Sequence, residues 1–131
     1  MTPKRHREVS RHAGALLLSP LPAPGYVDEL SVRASSGVYV MCSTTDDVAY
    51  VGKARRPSDP YGLVHRVWEH LQDGDRRLRW LRAWLIPMRP EAMTRQVELV
   101  EGMIGRDLGC PENKRLPRIV PVSHPVRRAV G

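Results

Sequence analysis

Cysteine is scarce in this chain: Cys42 and Cys110 are the only two among 131 residues. Two cysteines make no disulfide framework, and alone they cannot complete a structural zinc site. Long apolar runs are also missing. None approaches the ~18 residues of a membrane-spanning helix, which excludes such a helix. Basic residues 4–11 followed by apolar Ala13–Leu18 imitate a signal peptide. That apolar stretch is shorter than the ~7–15 residues of a true leader core, and Pro20, Pro22 and Pro24 interrupt the chain directly after it. A cytoplasmic protein without membrane attachment is therefore expected. There is no internal repeat and no low-complexity tract. Acidic residues are absent from one end, since 114–131 carries five basic side chains and no Asp or Glu.

The residues that are present suit one globular domain. The length is near the usual domain size, and 41% hydrophobic with 27% charged residues is a globular balance. Twenty-one Lys and Arg against fourteen Asp and Glu give +7. The excess lies at the ends: residues 1–24 are +3, residues 114–131 are +5, and the stretch between is close to neutral. A basic protein of this kind suits an anionic partner, most commonly nucleic acid.

Residues 1–25 read as an irregular basic arm closed by Pro-Leu-Pro-Ala-Pro-Gly. Tyr26–Val32 fits a short helix or strand. Val38–Ser43 reads as a strand, Thr44–Asp47 as a turn, and Val48–Val51 as a second strand, together an antiparallel hairpin. Ala54–Pro60 reads as a loop. Gly62–Leu71 has the spacing of a helix, with Leu63, Val64, Val67, Trp68 and Leu71 in one stripe. Arg82–Ile86 reads as a third strand stopped by Pro87 and Pro90. Glu91–Leu108 is the longest predicted helix, with Met93, Val97, Val100, Ile104 and Leu108 buried and Gly109 as its cap. The expected fold is α+β: a small, mainly antiparallel three-stranded sheet flanked by helices, with extended basic termini.

Chemistry concentrates on the hairpin. Gly37-Val38-Tyr39 opens one strand, and Tyr50-Val51-Gly52 lies on the other, with ten residues between. A tyrosine hydroxyl can donate or accept a proton, and Gly52 lets a bulky group approach the backbone. Lys53 and Arg55 place cations next to that glycine. On the following helix Arg66 and His70 are four apart and share a face. On the last helix Glu101 flanks the apolar face and Glu98 turns toward solvent. A ligand-holding group must border the core to be held still, which favours Glu101.

These residues resemble the motifs of the GIY-YIG nuclease family. Gly37-Val38-Tyr39 and Tyr50-Val51-Gly52 look like its two signature tripeptides at the family's separation, with Val in place of Ile in both. Arg66 and His70 match its helical Arg and the group one turn later. Glu101 and Asn113 match its later Glu and Asn, twelve apart. Tyr50-Val51-Gly52-Lys53-Ala54 is also similar to the nuclease domain of the excision-repair incision subunit. The resemblance covers roughly 36–115.

The resemblance implies a nuclease-like domain over 26–115, between a basic arm (1–25) and a basic, Pro-rich tail (116–131). It implies hydrolysis of DNA phosphodiesters with one divalent metal, Mg²⁺ or Mn²⁺, RNA having the same backbone linkage. Glu101 would be the metal ligand and Arg66 the holder of non-bridging phosphate oxygens. Tyr39 is the family's general base. Its ordinary pKa of ~10 requires lowering by cations or a proton path to His70, a side chain type that titrates near ~6.5. Tyr50 would orient water or phosphate. Gly52, Lys53, Arg55 and Asn113 would contact substrate. Many members carry a second domain that chooses the DNA site, and none is expected here. Arg76, Arg77, Arg79 and Arg82 form a further basic cluster. One site cuts one strand, so a double-strand cut implies two copies or two visits. The alternative reading is an inactive nucleic-acid-binding module of the same fold.

Overall fold

Seven consecutive residues, Ser36–Cys42, are all buried. An antiparallel strand does this only at the centre of a sheet covered on both faces. The computed structural model describes residues 1–70, 72, 74 and 81–110. Its α-helices are α1 (Pro3–Ser10), α2 (Gly62–His70) and α3 (Thr94–Leu108). Its strands are β1 (Gly25–Tyr26), β2 (Ser36–Cys42), β3 (Val48–Arg55) and β4 (Arg82–Met88). They form one antiparallel sheet in the order β1-β4-β2-β3. The α+β class is as expected.

Among the described residues the sheet has four strands, not three. β1 is two residues long and pairs Gly25 with Ala83 and Tyr26 with Arg82. Backbone bonds hold it, so no side-chain pattern announces it. β3 runs four residues past the predicted end, because Ala54 pairs with Gly37 and Arg55 with Ser36. β4 continues through Pro87 to Met88 rather than stopping before the proline. The reason lies in the direction of the missing N–H. The Leu85 and Pro87 carbonyls point away from β2, to His6 Nε2 (2.8 Å) and the Leu18 amide (2.9 Å). Pro87 therefore lacks a donor only on the side without a full strand partner, where proline is tolerated.

The irregular arm expected over 1–25 is instead largely ordered structure. Thr2 caps α1 by accepting from the Arg5 amide (3.1 Å), and Pro3 occupies the first turn. A 3₁₀ segment, Arg11–Leu16, follows. Val9 and Ala13 join Val97, Val100 and Ile104 of α3 in the core on one face of the sheet. Arg5 and His12 anchor this segment to Asp107 on α3. The opposite face is covered by Leu63, Val64 and Val67 of α2, with Val27 and Leu30 beside them. Trp68, placed in the α2 stripe by its spacing, is 38% exposed at the margin, and its Nε1 donates to the Val27 carbonyl (2.6 Å).

α3 starts at Thr94, later than the predicted Glu91. The Gln96 side chain accepts from the Met93 amide (2.8 Å) and fixes Met93 as the cap. Met93 is thus 59% exposed rather than buried. Gly109 ends α3 in the left-handed region at φ 60°, as expected. The hairpin turn is held by Asp46 (φ 62°), whose Oδ1 accepts from Arg82 Nε and Trp84 Nε1, both at 2.9 Å. Among the described residues no helix is long and apolar enough to cross a membrane.

Candidate active site

Tyr39 sits in mid-β2 and Gly52 is its cross-strand partner on β3. A methyl group on Gly52 would overlap the Tyr39 ring and hydroxyl. The tyrosine therefore lies flat across the next strand, and only glycine leaves room for it. Tyr39 is fully buried. Its hydroxyl reaches His70 Nε2 on α2 at 2.6 Å. Tyr50 closes a three-ring cluster, with centroids 6.3 Å from Tyr39 and 5.4 Å from His70. The β2–β3 register shifts between Met41 and Cys42, leaving Ala49 out of the pairing directly beside Tyr50. Such a bulge turns a side chain out of simple alternation.

Burial dominates the Tyr39 phenol and raises its pKa above the ordinary value. Tyr50 and Glu101 push the same way, and the Arg66 cation opposes them without overcoming burial. Of the two ways expected to make Tyr39 useful near neutrality, lowering by cations is not realised. The short bond to His70 has the geometry that the other requires.

Arg66 lies on the rim of α2, partly exposed, with one guanidinium N–H on Glu69 Oε1 (3.0 Å). Glu101 comes from α3 and is 8% exposed, while the Glu98 side chain is 44% exposed. That is the order expected from the helical spacing. Lys53 points to this side and approaches Glu98 at 3.9 Å. Burial lifts the Glu101 carboxyl from the usual 4.5 to about 7. Lys53 and Arg66 lower it, and Glu98 adds to the rise. Glu101 forms no ion pair with any described residue, so its burial is answered by a raised pKa rather than by a contact partner among them.

Among the described residues there is no group of three or more His, Cys, Asp or Glu able to cage an ion. The buried hard oxygen donor at this edge is the Glu101 carboxyl, with the exposed Glu98 carboxylate near it. That donor set fits Mg²⁺ or Mn²⁺ bound mostly through water and a phosphate, and does not fit an all-protein cage.

Tyr39, Tyr50, Gly52, Lys53, Arg66, His70 and Glu101 are thus gathered at the β3 edge of the sheet. Arg55 is not among them in its contacts: its Nε donates to the Ala92 carbonyl (2.8 Å), tying the end of β3 to the approach of α3. Asn113 lies outside the described residues, as do Arg76, Arg77, Arg79 and the tail at 116–131. Arg82, the described member of that basic cluster, is bonded to Asp46 and packs over the Tyr26 ring at 5.5 Å. Two neighbours escape a reading of the sequence. Glu69 and Arg56 pair through both guanidinium arms, at 2.6 and 2.8 Å. Glu69 is three residues after Arg66, a helical ion-pair spacing that could have revealed it, whereas Arg56 is thirteen residues away and leaves no local signal.

No family model matches the chain, and neither the curated proteins nor the solved structures yield a significant match.

Proposed function

We propose that the chain is a metal-dependent endonuclease of the GIY-YIG type, hydrolysing DNA phosphodiester bonds. The observation that carries the reading is the 2.6 Å bond between the Tyr39 hydroxyl and His70 Nε2, beside the buried carboxyl of Glu101, which forms no ion pair with any described residue. A pure binding module needs neither a buried proton path nor a buried acid set between cations.

The buried phenol rests as the neutral species. It serves as a relay. Its oxygen takes a proton from the attacking water while its own proton passes to His70 Nε2, so no free phenolate forms. His70 must then carry its resting proton on Nδ1. Tyr50 packs edge-on against His70 and restricts the ring. The Arg66 guanidinium, on the rim of α2, holds the non-bridging phosphate oxygens. Lys53 adds positive charge on the Glu101 side. A divalent cation bound at Glu101 supplies neutralisation of the phosphate and of the leaving oxygen.

The test is conversion of supercoiled plasmid to open circle with Mg²⁺ or Mn²⁺, with EDTA as control. Wild type should nick only with metal. Glu101→Gln should bind the plasmid and leave it intact. Binding without nicking by wild type under every metal condition would favour the inactive module instead.

A further inference from the structure

Arg56 and Arg66 come from different elements and meet on one carboxylate. Arg56 stands in the turn after β3, where its amide donates to the Ser35 carbonyl (2.9 Å). Its stem is packed against Gly62, where a methyl group would collide with it. From there it sends both terminal nitrogens to Glu69, Nη1 to Oε2 (2.6 Å) and Nη2 to Oε1 (2.8 Å). Arg66 Nη1 adds a third bond to the same Oε1 at 3.0 Å. Two guanidiniums from β3's exit and from α2 thus converge on a single anion.

A guanidinium fork matches a carboxylate and a phosphate in the same way. The carboxylate is also exchangeable, because the Glu69 side chain is 47% exposed and both arginines are partly exposed. Bonds from Arg56 and then Arg66 hold its carboxyl down at about 2, so it stays charged across the working range.

We propose that Arg56 and Arg66 form a two-guanidinium site for a backbone phosphate of nucleic acid, in which Glu69 is an internal stand-in anion that the incoming phosphate displaces. The inference rests on the nuclease reading, since it deepens the role given there to Arg66. Glu69 keeps both forks spread and oriented before substrate arrives, and every binding event must release it. Arg56 becomes a substrate-binding residue, and Glu69 a positioning residue that competes with substrate.

The competing explanation is a staple between turn and helix, and the two differ in sign. The experiment is fluorescence anisotropy of a labelled DNA duplex, and of an RNA duplex of the same sequence, titrated with full-length protein in EDTA. Wild type, Glu69→Gln and Arg56→Ala are compared across a salt series, with thermal melts of each. A stand-in anion predicts that Glu69→Gln binds roughly threefold tighter at low salt, the scale of one exposed charge interaction. It predicts that Arg56→Ala binds more weakly, with a log–log salt slope shallower by about 0.9. Arg56→Ala leaves Glu69 on Arg66 and gives an independent reading if Glu69→Gln folds poorly. Tightening confined to the RNA duplex would keep the site and change its substrate class. Weaker or equal binding by Glu69→Gln, with Arg56→Ala binding like wild type, overturns the inference while leaving wild-type DNA binding intact. Failure of every protein, wild type included, to bind either duplex overturns the nuclease reading and this inference with it.

Discussion

Substituting Gly52 by alanine tests how closely the site is packed. Gly52 faces Tyr39 across the β2–β3 pair, and a methyl there would overlap the tyrosine ring and hydroxyl. Tyr39 has no exposed surface through which to swing away. The ring must shift within a packed core, which costs roughly 1–3 kcal/mol. The shift breaks the 2.6 Å bond to His70, a buried polar pair, at a further cost of roughly 1–3 kcal/mol. Together about 2–6 kcal/mol is a large share of the ~5–15 kcal/mol that holds a domain folded. The melting temperature should fall by roughly 10 °C or more. Thermal unfolding followed by circular dichroism reads this directly, with Gly74→Ala as control because a methyl there meets nothing within 4 Å. Nicking should be lost in Gly52→Ala even well below its melting point, since the proton path is displaced. A Gly52→Ala protein that melts with wild type would refute the packing argument, and one that also nicks normally would refute the role of the Tyr39–His70 pair.

Glu101→Gln should stabilise the metal-free protein above neutrality. Its carboxyl titrates near 7 when folded against 4.5 ordinarily, so ionisation costs stability. No penalty exists below the unfolded value. It grows as pH rises from about 4.5 to about 7, and is full above that, at roughly 3 kcal/mol. Melts in EDTA should therefore show the variant above wild type at pH 8 and the gap closing toward pH 4.5; a constant gap would show that charge burial is not its source. Asp46→Ala removes the acceptor of the buried Trp84 indole and places alanine at φ 62°. It should cost about 2–4 kcal/mol by urea denaturation, with Asp46→Asn clearly milder because it keeps an acceptor oxygen and tolerates that backbone. Removing residues 1–16 should leave an unstable protein, because Val9, Ala13 and the His6–Leu85 bond leave with them. A truncated chain with a wild-type melt would mean that this segment is a dispensable arm after all.

The elements with a strong period are the legible ones. β2, the hairpin turn, α2, β4 and α3 can be placed in order because apolar residues recur at helical spacing or gather in β-branched runs. The choice of Glu101 over Glu98 comes from the same geometry, and the structure buries one and half-exposes the other. α1 is hidden in the sequence for a physical reason. Its buried side includes His6 and Ser10, so it carries no apolar stripe. The informative signs are Thr2 and Pro3, a cap and a first-turn proline. The edge-facing Pro87 looks like a stop because sequence does not say which way its missing N–H points. The meeting of Tyr39 and His70 is foreseeable, but the size of the burial effect on the phenol depends on both covered faces of the sheet and cannot be read from spacing. The Arg56–Glu69–Arg66 cluster joins a turn to a helix, and its long-range half depends on the fold itself.

The most direct test is single-turnover cleavage of end-labelled DNA with Mg²⁺, comparing wild type with Tyr39→Phe and Glu101→Gln under conditions where all three bind. The account predicts metal-dependent cleavage by wild type. It predicts a loss of at least about a hundredfold in Tyr39→Phe, the scale of general acid–base catalysis, and no detectable product from Glu101→Gln. Equal cleavage by wild type and both variants would contradict it, as would folded, DNA-bound wild type that forms no product with any divalent metal.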